Sequence, residues 1–501
     1  MIELLTNEEM AQADRLAVKA GVLSADLMEN AGRVVADHVA KIYATGTRVV
    51  IVAGPGNNGG DGFVAARLLA ERGCEVRVLR LKEGGKLPTD AAEAAWRWKG
   101  PMQDATPKAL AGAGVIIDAL FGAGLDRPVS GLAAEMIEAI NAANVPVVAV
   151  DLPSGINGTS GAVMGVAVKA RETVTFFRRK LGHVLLPGRI HCGVVSVADI
   201  GIPDSVLETI RPKAFVNAPP LWADRFPVPR LEGHKYSRGH AVVVSGDISH
   251  TGAARLAARG ALRAGAGLVT IASPKNALAV NAAANLAVMV HPVDGAAELA
   301  KFLADPRRNA VVLGPGGGVG PAMRKMVLAA LAGKLAVVLD ADALTSFAGK
   351  ADALAKAIKA QKGQPTILTP HQGEFARLFN GIDEISKVNS KLEKARIAAR
   401  YMGVIVVLKG ADTVVASPDG RTAISDNAPP WLATAGSGDV LAGMIAAVLA
   451  QGMPGFEGAA AAVWLHGEAA AEFGPGLIAE DLPEALPAVY RGLLARLPPS
   501  V

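Results

Sequence analysis

Short apolar segments alternate with longer amphipathic segments along most of the chain, and this alternation constrains the fold more than any other feature. The apolar runs 49–53 and 115–117 have the length of buried strands, and 62–72 repeats apolar residues at helical spacing. Strands that alternate with helices form parallel sheets with helices on both faces. The sequence therefore predicts an α/β fold. The other strand candidates are 76–81, 145–150, 240–245, 268–272, 310–313, 335–339, 366–368 and 404–408.

The alternation is interrupted between residues 203 and 229, where six prolines accumulate. Proline lacks a backbone N–H and fixes φ, so this density does not suit the interior of regular elements. A chain of 501 residues is also too long for one ordinary domain. We therefore expect two α/β domains, 1–215 and 233–501, joined by a proline-rich linker at 216–232.

Composition excludes several classes of partner. A net charge of +5 spread over 501 residues is too dilute to indicate nucleic-acid binding. No apolar run approaches the roughly 18 residues that span a bilayer. Two cysteines, Cys74 and Cys192, are too few for a disulfide framework, which fits a reducing compartment. We expect a cytoplasmic homo-oligomer that binds small molecules, with no nucleic-acid or membrane partner.

Thr6 and Glu9 have the spacing of a helix capping box, in which each side chain bonds the backbone of the other residue. This pattern predicts a helix near the start of the chain.

Polar side chains follow three predicted strands of the first half. Residues 54–62 read Gly-Pro-Gly-Asn-Asn-Gly-Gly-Asp-Gly directly after the first strand, while Asp118 and Asp151 follow later strands. The carboxyl ends of parallel strands meet at one edge of the sheet, where ligands bind, so the three segments should converge. Two carboxylates, an Asn pair and bare amides can hold a cation and a polar ligand. A tight turn or a helix cap at each position is the alternative.

Five segments of this half, 27–32, 54–62, 118–124, 150–155 and 173–180, resemble the NAD(P)HX epimerase family. That family interconverts the two epimers of NAD(P)H hydrated at C6 of the nicotinamide ring. The resemblance implies a Rossmann-like three-layer α/β/α sandwich. It also implies a potassium site at Asn58, Asp118 and Ser154. The substrate site that it implies comprises Asn57, Asn58, Gly59, Gly60, Asp61, Gly122, Ala123, Gly124, Leu125, Asp126, Arg127, Pro128 and Asp151. Asp151 is the catalytic candidate, either for proton transfer or for orienting the ring.

The second half contains a phosphate-binding pattern, Thr-Ala-Gly-Ser-Gly-Asp-Val-Leu-Ala-Gly at 434–443. Small residues at the start of an apolar helix expose backbone amides that can stabilise phosphate charge. Asp439 at this position can accept a proton from a hydroxyl that attacks phosphorus. A glycine-rich helix start capped by Asp439 is the alternative. The pattern resembles the ribokinase-like superfamily, with Ser437 where many members carry Thr.

The segments 252–269, 313–318, 339–344, 368–374 and 408–413 resemble the NAD(P)HX dehydratase family in order, which implies a ribokinase-like α/β/α domain. One departure is Gln372, where the family often has Pro. The nucleotide site implied by the resemblance comprises Lys409, Gly410, Ala411, Asp412, Thr413, Thr434, Ala435, Gly436, Ser437 and Gly438. The residues implied to face the hydrated nicotinamide are Ala253, Gly316, Gly318, His371 and Asp439.

Together the two resemblances imply repair of hydrated nicotinamide cofactors. Phosphoryl transfer to the C6 hydroxyl turns a poor leaving group into a good one, with Asp439 as the catalytic base. The implied ligands are NADHX or NADPHX, ADP (or ATP) as phosphate donor, Mg²⁺ and K⁺. Two alternatives stay open: a kinase of a small vitamin precursor, and a first domain that is a non-catalytic nucleotide-binding module.

Overall fold

The structure is a computed structural model and describes residues 1–82, 87–361 and 363–496. The chain divides into two compact units, Glu3–Ala214 and Phe215–Val501. The last residues of the predicted second domain, 497–501, lie outside the described residues. Both units alternate strands with helices, so the predicted α/β class is confirmed. In the described part of the chain, no helix is both long and apolar enough to span a membrane.

The first unit is built from nine short strands and seven α-helices among its described residues. Its strands are β1 (Glu3–Leu5), β2 (Arg48–Ala53), β3 (Glu75–Arg80), β4 (Met102–Asp104), β5 (Val115–Ala119), β6 (Val147–Val150), β7 (Glu172–Phe176), β8 (Arg179–Lys180) and β9 (Val194–Ala198). Its helices are α1 (Asn7–Lys19), α2 (Ser24–Ile42), α3 (Asn57–Glu71), α4 (Thr89–Arg97), α5 (Gly131–Ala142), α6 (Gly188–Cys192) and α7 (Val206–Ile210).

Seven of these strands form a fully parallel sheet in the order β4-β3-β2-β5-β6-β7-β9, and β1 pairs separately with β8. Alternate residues of β2 enter two different cores. Val49 and Ile51 pack with helices α1 to α4, whereas Val50 and Val52 pack with α5. Helices therefore cover both faces, which confirms the three-layer arrangement.

Helix α1 begins at the capping box that the sequence predicts. The Thr6 hydroxyl accepts a hydrogen bond from the Glu9 N–H at 3.1 Å, and the Glu9 carboxylate accepts one from the Thr6 N–H at 2.8 Å. Two of the orphan N–H groups of the first turn are thus satisfied, which fixes the direction in which α1 leaves β1.

The predicted start of α3 at residue 62 is wrong, because the helix begins at Asn57 and includes most of the glycine-rich segment. The glycines there permit close packing. A Cβ on Gly59 would lie 2.1 Å from the Gly54 carbonyl oxygen, and one on Gly62 would lie 2.7 Å from the Ala119 Cβ. Only a residue without a side chain fits these positions, so α3 can begin directly against the sheet.

Strand β10 (Ala214–Val216) lies where the chain passes from one unit to the next. The strands of the second unit are β11 (His240–Val244), β12 (Leu268–Ser273), β13 (Met289–Pro292), β14 (Ala310–Leu313), β15 (Ala336–Leu339), β16 (Thr366–Leu368), β17 (Ile405–Leu408), β18 (Val414–Ala416) and β19 (Thr422–Ile424). Its helices are α8 (Thr251–Arg263), α9 (Leu278–Ala283), α10 (Gly295–Leu303), α11 (Pro321–Leu331), α12 (Ala341–Thr345), α13 (Ala351–Ala360), α14 (Gln372–Leu378), α15 (Asp383–Ser386), α16 (Lys391–Met402), α17 (Ser437–Ala450), α18 (Gly455–Phe473) and α19 (Asp481–Leu494).

The sheet of the second unit runs in the order β13-β12-β11-β14-β15-β16-β17-β18-β19, parallel as far as β17 and antiparallel beyond it. Helix α17 is buried from Val440 to Ala450 and packs against α8, α18 and the central strands. A helix that is apolar on all sides must lie inside the core. Its polar first turn is thereby held at the carboxyl ends of the strands.

The predicted linker, 216–232, begins inside the second unit. The Trp222 side chain is fully buried, and its ring lies 5.6 Å from that of Trp464 and 5.4 Å from that of Phe226. Asn217 donates to the Ala460 carbonyl oxygen at 2.7 Å. Residues 217–226 therefore contribute to the core of this unit.

Candidate functional sites

A cavity of about 1030 Å³ opens in the first unit at the carboxyl ends of its strands. Its walls are α1, the start of α3 and the segment that follows β5. Most of the residues that the sequence assigns to the substrate line this cavity, namely Asn57, Asn58, Asp61, 122–128 and Asp151. Ligand-sized cavities at this edge of a parallel sheet are the usual place for a binding site.

Two predicted substrate residues, Gly59 and Gly60, are instead buried in the first turns of α3. A Cβ on Gly60 would lie 2.7 Å from the Met28 sulfur. Gly59 packs against the Gly54 carbonyl in the same way. Their packing holds α3 in place, and the side chains around them form the cavity wall.

Asp151 is held by three donors at the end of β6. Its Oδ1 accepts from the Lys180 Nζ at 2.6 Å and from the Thr175 hydroxyl at 2.9 Å, and its Oδ2 accepts from the Ala123 N–H at 2.9 Å. Burial alone would raise the pKa of Asp151, but the Lys180 ammonium and these hydrogen bonds lower it below its ordinary value. Asp151 is therefore a carboxylate at neutral pH. It adopts a φ of +65°, a strained conformation for a residue with a side chain.

A buried histidine completes this arrangement. The His183 Nδ1 accepts from the Lys180 N–H at 2.9 Å, so the Nε2 carries the proton and donates to the Asp151 carbonyl oxygen at 2.8 Å. Burial lowers the pKa of His183 to about 4, which keeps the ring neutral. Sequence reasoning missed Lys180, Thr175 and His183 as site residues. The only signal was a lysine at the end of the segment 173–180.

The structure joins two of the three predicted potassium ligands, Asp118 and Ser154. The Asp118 carboxylate accepts from the Ser154 N–H at 2.8 Å and from the Ser154 hydroxyl at 2.6 Å. In the described part of the chain no hydrogen bond joins Asn58 to this pair. A Cβ built on Gly122 would lie 2.9 Å from the Asn58 Oδ1 and 3.0 Å from the Asp151 Oδ2, so both side chains lie beside Gly122. Asp118 lies inside β5, one residue before the strand ends, and does not follow it as predicted.

Two further observations concern the cation. Burial raises the pKa of Asp118 to about 6 although hydrogen bonds from Ser154 lower it. The Nδ2 of Asn58 is buried without a hydrogen-bond partner. A buried carboxylate and oxygen donors at one sheet edge have the chemistry that a hard cation prefers.

In the second unit, the first turn of α17 presents its amides at the carboxyl edge of the sheet. Gly436 precedes the helix with a φ of +86°, a conformation that favours glycine. The Ser437 hydroxyl donates to the Thr434 carbonyl oxygen at 2.9 Å. The first amides of a helix have no intrahelical partner and point outwards, which creates an anion-binding site.

Asp439 lies in this first turn within a cluster of charged groups. Burial raises its pKa to about 6, assisted by the negative charge of Asp340 and opposed by Lys409. Lys409 donates to the Asp340 Oδ1 at 2.8 Å, and a Cβ on Gly438 would lie 3.2 Å from the Lys409 Nζ. Burial lowers the pKa of Lys409, but the Asp340 carboxylate outweighs it and raises the pKa above its ordinary value. The lysine is therefore charged beside the amides of α17. Sequence reasoning did not assign Asp340 to the site.

His371 serves as the N-cap of α14, because its Nδ1 accepts from the Gly373 N–H at 2.9 Å. The His371 N–H in turn donates to the Glu374 carboxylate at 2.8 Å. The imidazole remains half exposed, and its Nε2 lies 3.5 Å from the Glu374 Oε1. The cap explains why Gln372 is tolerated, since the histidine and Glu374 fix this loop.

The other predicted residues fall into two groups. Gly316 lies beside Ala253, with a φ of +60° and only 3.3 Å between its virtual Cβ and the Ala253 Cβ, and the Gly318 N–H donates to the Asp342 carboxylate at 2.9 Å. The segment 409–413 is stabilised internally, because the Gly410 N–H donates to the Thr413 hydroxyl oxygen at 3.1 Å. Lys409 links this segment to the start of α17.

Comparison with known proteins covers both units. Residues 241–486 match the family model described as NAD(P)H-hydrate dehydratase, and residues 24–182 match that described as YjeF-related protein N-terminus. The bifunctional NAD(P)H-hydrate repair enzyme of Moorella thermoacetica is 37% identical over 98% of this chain and 97% of its own length. That of Thermofilum pendens is 36% identical over 97% of this chain and 95% of its own.

This chain belongs to the bifunctional NAD(P)H-hydrate repair enzyme family. A third member, from Coxiella burnetii, is 34% identical over 96% of the chain. Among solved structures, a Bacillus subtilis ADP/ATP-dependent NAD(P)H-hydrate dehydratase co-crystallised with ATP and Mg²⁺ is 29% identical, with a TM-score of 0.48 over 56% of this chain and 98% of that one. Family membership over the whole chain favours a repair enzyme over the vitamin-precursor kinase.

Proposed function

We propose that the first unit interconverts the R and S epimers of NAD(P)HX and that the second unit dehydrates the S epimer with ADP as phosphate donor. The observation that carries the second half is the first turn of α17. There Asp439, outward-facing amides and the charged Lys409 lie together. A base, an anion-binding helix start and a cation are the parts that phosphoryl transfer requires.

Dehydration proceeds in two steps. The oxygen of the substrate's C6 hydroxyl attacks the β-phosphorus of ADP while Asp439 takes the proton of that hydroxyl. The bond between the β-phosphorus and the AMP oxygen breaks. The C6 phosphate then leaves with the C–O electron pair while C5 loses a proton to water, which restores the C5–C6 double bond. The amides of residues 435–438 and Lys409 stabilise the charge on the transferring group. His371, Gly316, Gly318 and Ala253 face the nicotinamide in this proposal.

We expect Mg²⁺ to bind at this site together with the phosphates of the nucleotide. Among the described residues, no group of three His, Cys, Asp or Glu side chains is spaced to hold a metal ion by itself. The negative charges of Asp340, Asp342 and Glu374 do surround Asp439, and each raises its pKa. These carboxylates would face a Mg²⁺ ion that the phosphates bring, and the ion neutralises charge on those phosphates.

In the first unit, the segment 122–128 and the start of α3 hold the substrate, and Asp118 with Ser154 and Asn58 holds K⁺. The cation compensates the buried Asp118 carboxylate. We expect K⁺, compared with a bulky organic cation, to raise the unfolding temperature of the first unit at pH 8, where Asp118 is ionised. Asp118→Asn should abolish that increment, measured by differential scanning calorimetry. An equal increment in wild type and variant would contradict this cation site.

The test of the reaction is its stoichiometry. Phosphorus NMR of a reaction with S-NADPHX and ADP should show one AMP and one inorganic phosphate for each NADPH formed. A phosphorylated product that persists, or a vitamin precursor that consumes the nucleotide instead, would support the kinase alternative.

We place this activity in the cytoplasm, where the two free thiols would stay reduced. The expected homo-oligomer stays a prediction, which light scattering of the full chain measures.

A further inference from the structure

Five aspartates line the cavity of the first unit together with Arg15, Arg127 and Lys180, and the buried Lys180 interacts electrostatically with three of those aspartates. Asp14 on α1, Asp61 on α3 and Asp151 after β6 are those three, and Lys180 is almost fully buried beside them. One ammonium cannot neutralise three carboxylates in a cavity from which water is partly excluded. The three groups must therefore differ in protonation near neutral pH.

Of the three aspartates, Asp151 is the one that forms an ion pair with Lys180. Both of its oxygens accept hydrogen bonds from the protein, two on Oδ1 from Lys180 and Thr175 and one on Oδ2 from Ala123. A carboxylate fixed by three donors with a lowered pKa is a poor proton acceptor. Its geometry suits orientation of the substrate.

The pKa of Asp61 is shifted in the opposite direction to that of Asp151. It is 8% exposed in the first turns of α3, and burial raises its pKa well above the ordinary value, with Asp151 and Asp14 adding to the rise and Lys180 opposing it. Burial therefore favours the neutral form of Asp61. At 8% exposure, this carboxyl group exchanges its proton with solvent less readily than an exposed one.

All three aspartates line the cavity, but Asp14 differs from the other two in that it is exposed and they are buried. Asp14 lies on the face of α1 that forms the cavity wall. The charged groups that act on it are Lys180, Asp151, Arg15 and Asp61. The concave surroundings raise its pKa to about 6 by desolvation; Lys180 and Arg15 oppose the rise and Asp151 adds to it. Both protonation states of Asp14 are thus populated close to neutrality.

We propose that Asp14 is the catalytic acid and base of epimerisation and that Asp151 only positions the hydrated ring. This inference rests on the proposed epimerase function. The Asp14 carboxylate takes the proton from the C6 hydroxyl, the O–H electron pair forms the C6 carbonyl, and the C6–N1 pair passes to N1. Asp14 then gives its proton to N1. Rotation of the aldehyde exposes its other face, N1 attacks C6 again, and Asp14 returns the proton from N1 to the oxygen.

Proton NMR measures the interconversion of the two epimers by the full-length protein. ADP is omitted, so that the second unit does not dehydrate the substrate. Asp14→Asn should slow enzymatic epimerisation by at least about 100-fold, the scale of general acid–base catalysis. Asp14→Glu should retain much of the rate. In wild type, kcat/KM should fall about tenfold per pH unit below pH 6, because the carboxylate form is needed. Asp61→Asn, which imitates the neutral form that burial favours, should cost less than tenfold.

Controls are available in the same chain. Glu8→Gln changes an exposed acid of α1 outside the cavity lining and should leave the rate unchanged. The calorimetric transition of the first unit should be retained in the Asn and Glu variants. An Asp14→Asn enzyme within threefold of wild type with the same pH profile would overturn the inference. So would an acid limb in wild type that appears only below pH 4, since it would assign the base to Asp151. A wild-type protein that does not epimerise at all would overturn the proposed function instead.

Discussion

Asp439 combines two properties that a catalytic base for phosphoryl transfer needs. It lies in the first turn of α17, beside the amides that stabilise phosphate charge, and its pKa is raised to about 6, mainly by burial. Asp439→Asn should lower the rate of ADP-dependent dehydration by about 10²- to 10⁴-fold, measured by NADPH absorbance. Epimerisation by the same preparation should be unchanged.

The matched control is Asp383→Asn, which alters an exposed carboxylate paired with Lys387 on the same unit. Normal dehydration by the Asp439 variant would contradict the role of this residue.

The raised pKa of Asp439 also predicts the direction of a pH effect. The carboxylate form accepts the proton, and it predominates above pH 6. Dehydration kcat/KM should therefore be level above about pH 7 and fall about tenfold for each unit below pH 6. Stopped-flow absorbance, started from purified S epimer, measures this profile. A profile that stays level down to pH 5 would exclude Asp439 as the titrating base.

The sequence predicted some of the site residues and missed others, and this difference has a physical cause. Asp151 and Asp439 were recognisable because each lies in a longer motif, 150–155 or 434–443, that resembles a known protein family. Lys180 was not, because a lysine that follows two arginines is ordinarily solvated, and only the fold shows its ammonium buried against Asp151. Asp14 gave no signal either, since an acid within an amphipathic helix is typical of a surface position.

Among the elements, helix α3 determines the shape of the first cavity. Its start rests on Gly59, whose position leaves no space for a Cβ beside the Gly54 carbonyl. Gly59→Ala should displace α3, destabilise the first unit by about 1–3 kcal/mol and abolish epimerisation. Calorimetry and epimer exchange measure the two effects.

Gly56→Ala is the control for this prediction. Gly56 precedes the same helix with a φ of −108°, and a Cβ there meets nothing within 4 Å. Its substitution should change stability by less than about 0.5 kcal/mol. Equal effects of the two substitutions would contradict the packing explanation.

The ten predicted strands agree with the observed bounds to within about two residues at either end, whereas β7, β9 and β13 were among the strands not predicted and the start of α3 was wrong. Buried parallel strands are continuous apolar runs, as in 310–313 and 366–368, and such runs are visible in sequence. Glycine is unfavourable in helices, so Gly59 and Gly60 indicated a loop. Tertiary packing outweighs that preference, because the glycines let α3 approach β2 and β5.

For the whole molecule, the fusion of two units has a kinetic consequence. A dehydratase that accepts one epimer stops when that epimer is consumed, unless the other is converted. With both activities on one chain, NADPH formation should have two phases, the second at the rate of epimer exchange.

The sequence predicted the two α/β units from the alternation of strands and helices. The contribution of residues 217–226 to the second core depends instead on long-range contacts of Trp222 that no local pattern reveals.

The most direct measurement is recovery of reduced-nicotinamide absorbance from a mixed-epimer preparation of hydrated NADPH, with Mg²⁺ and K⁺ present and with ADP, ATP or no nucleotide added. We expect full recovery with ADP and none without nucleotide. Recovery that stalls after one epimer is consumed, or that is absent with ADP, would contradict this expectation.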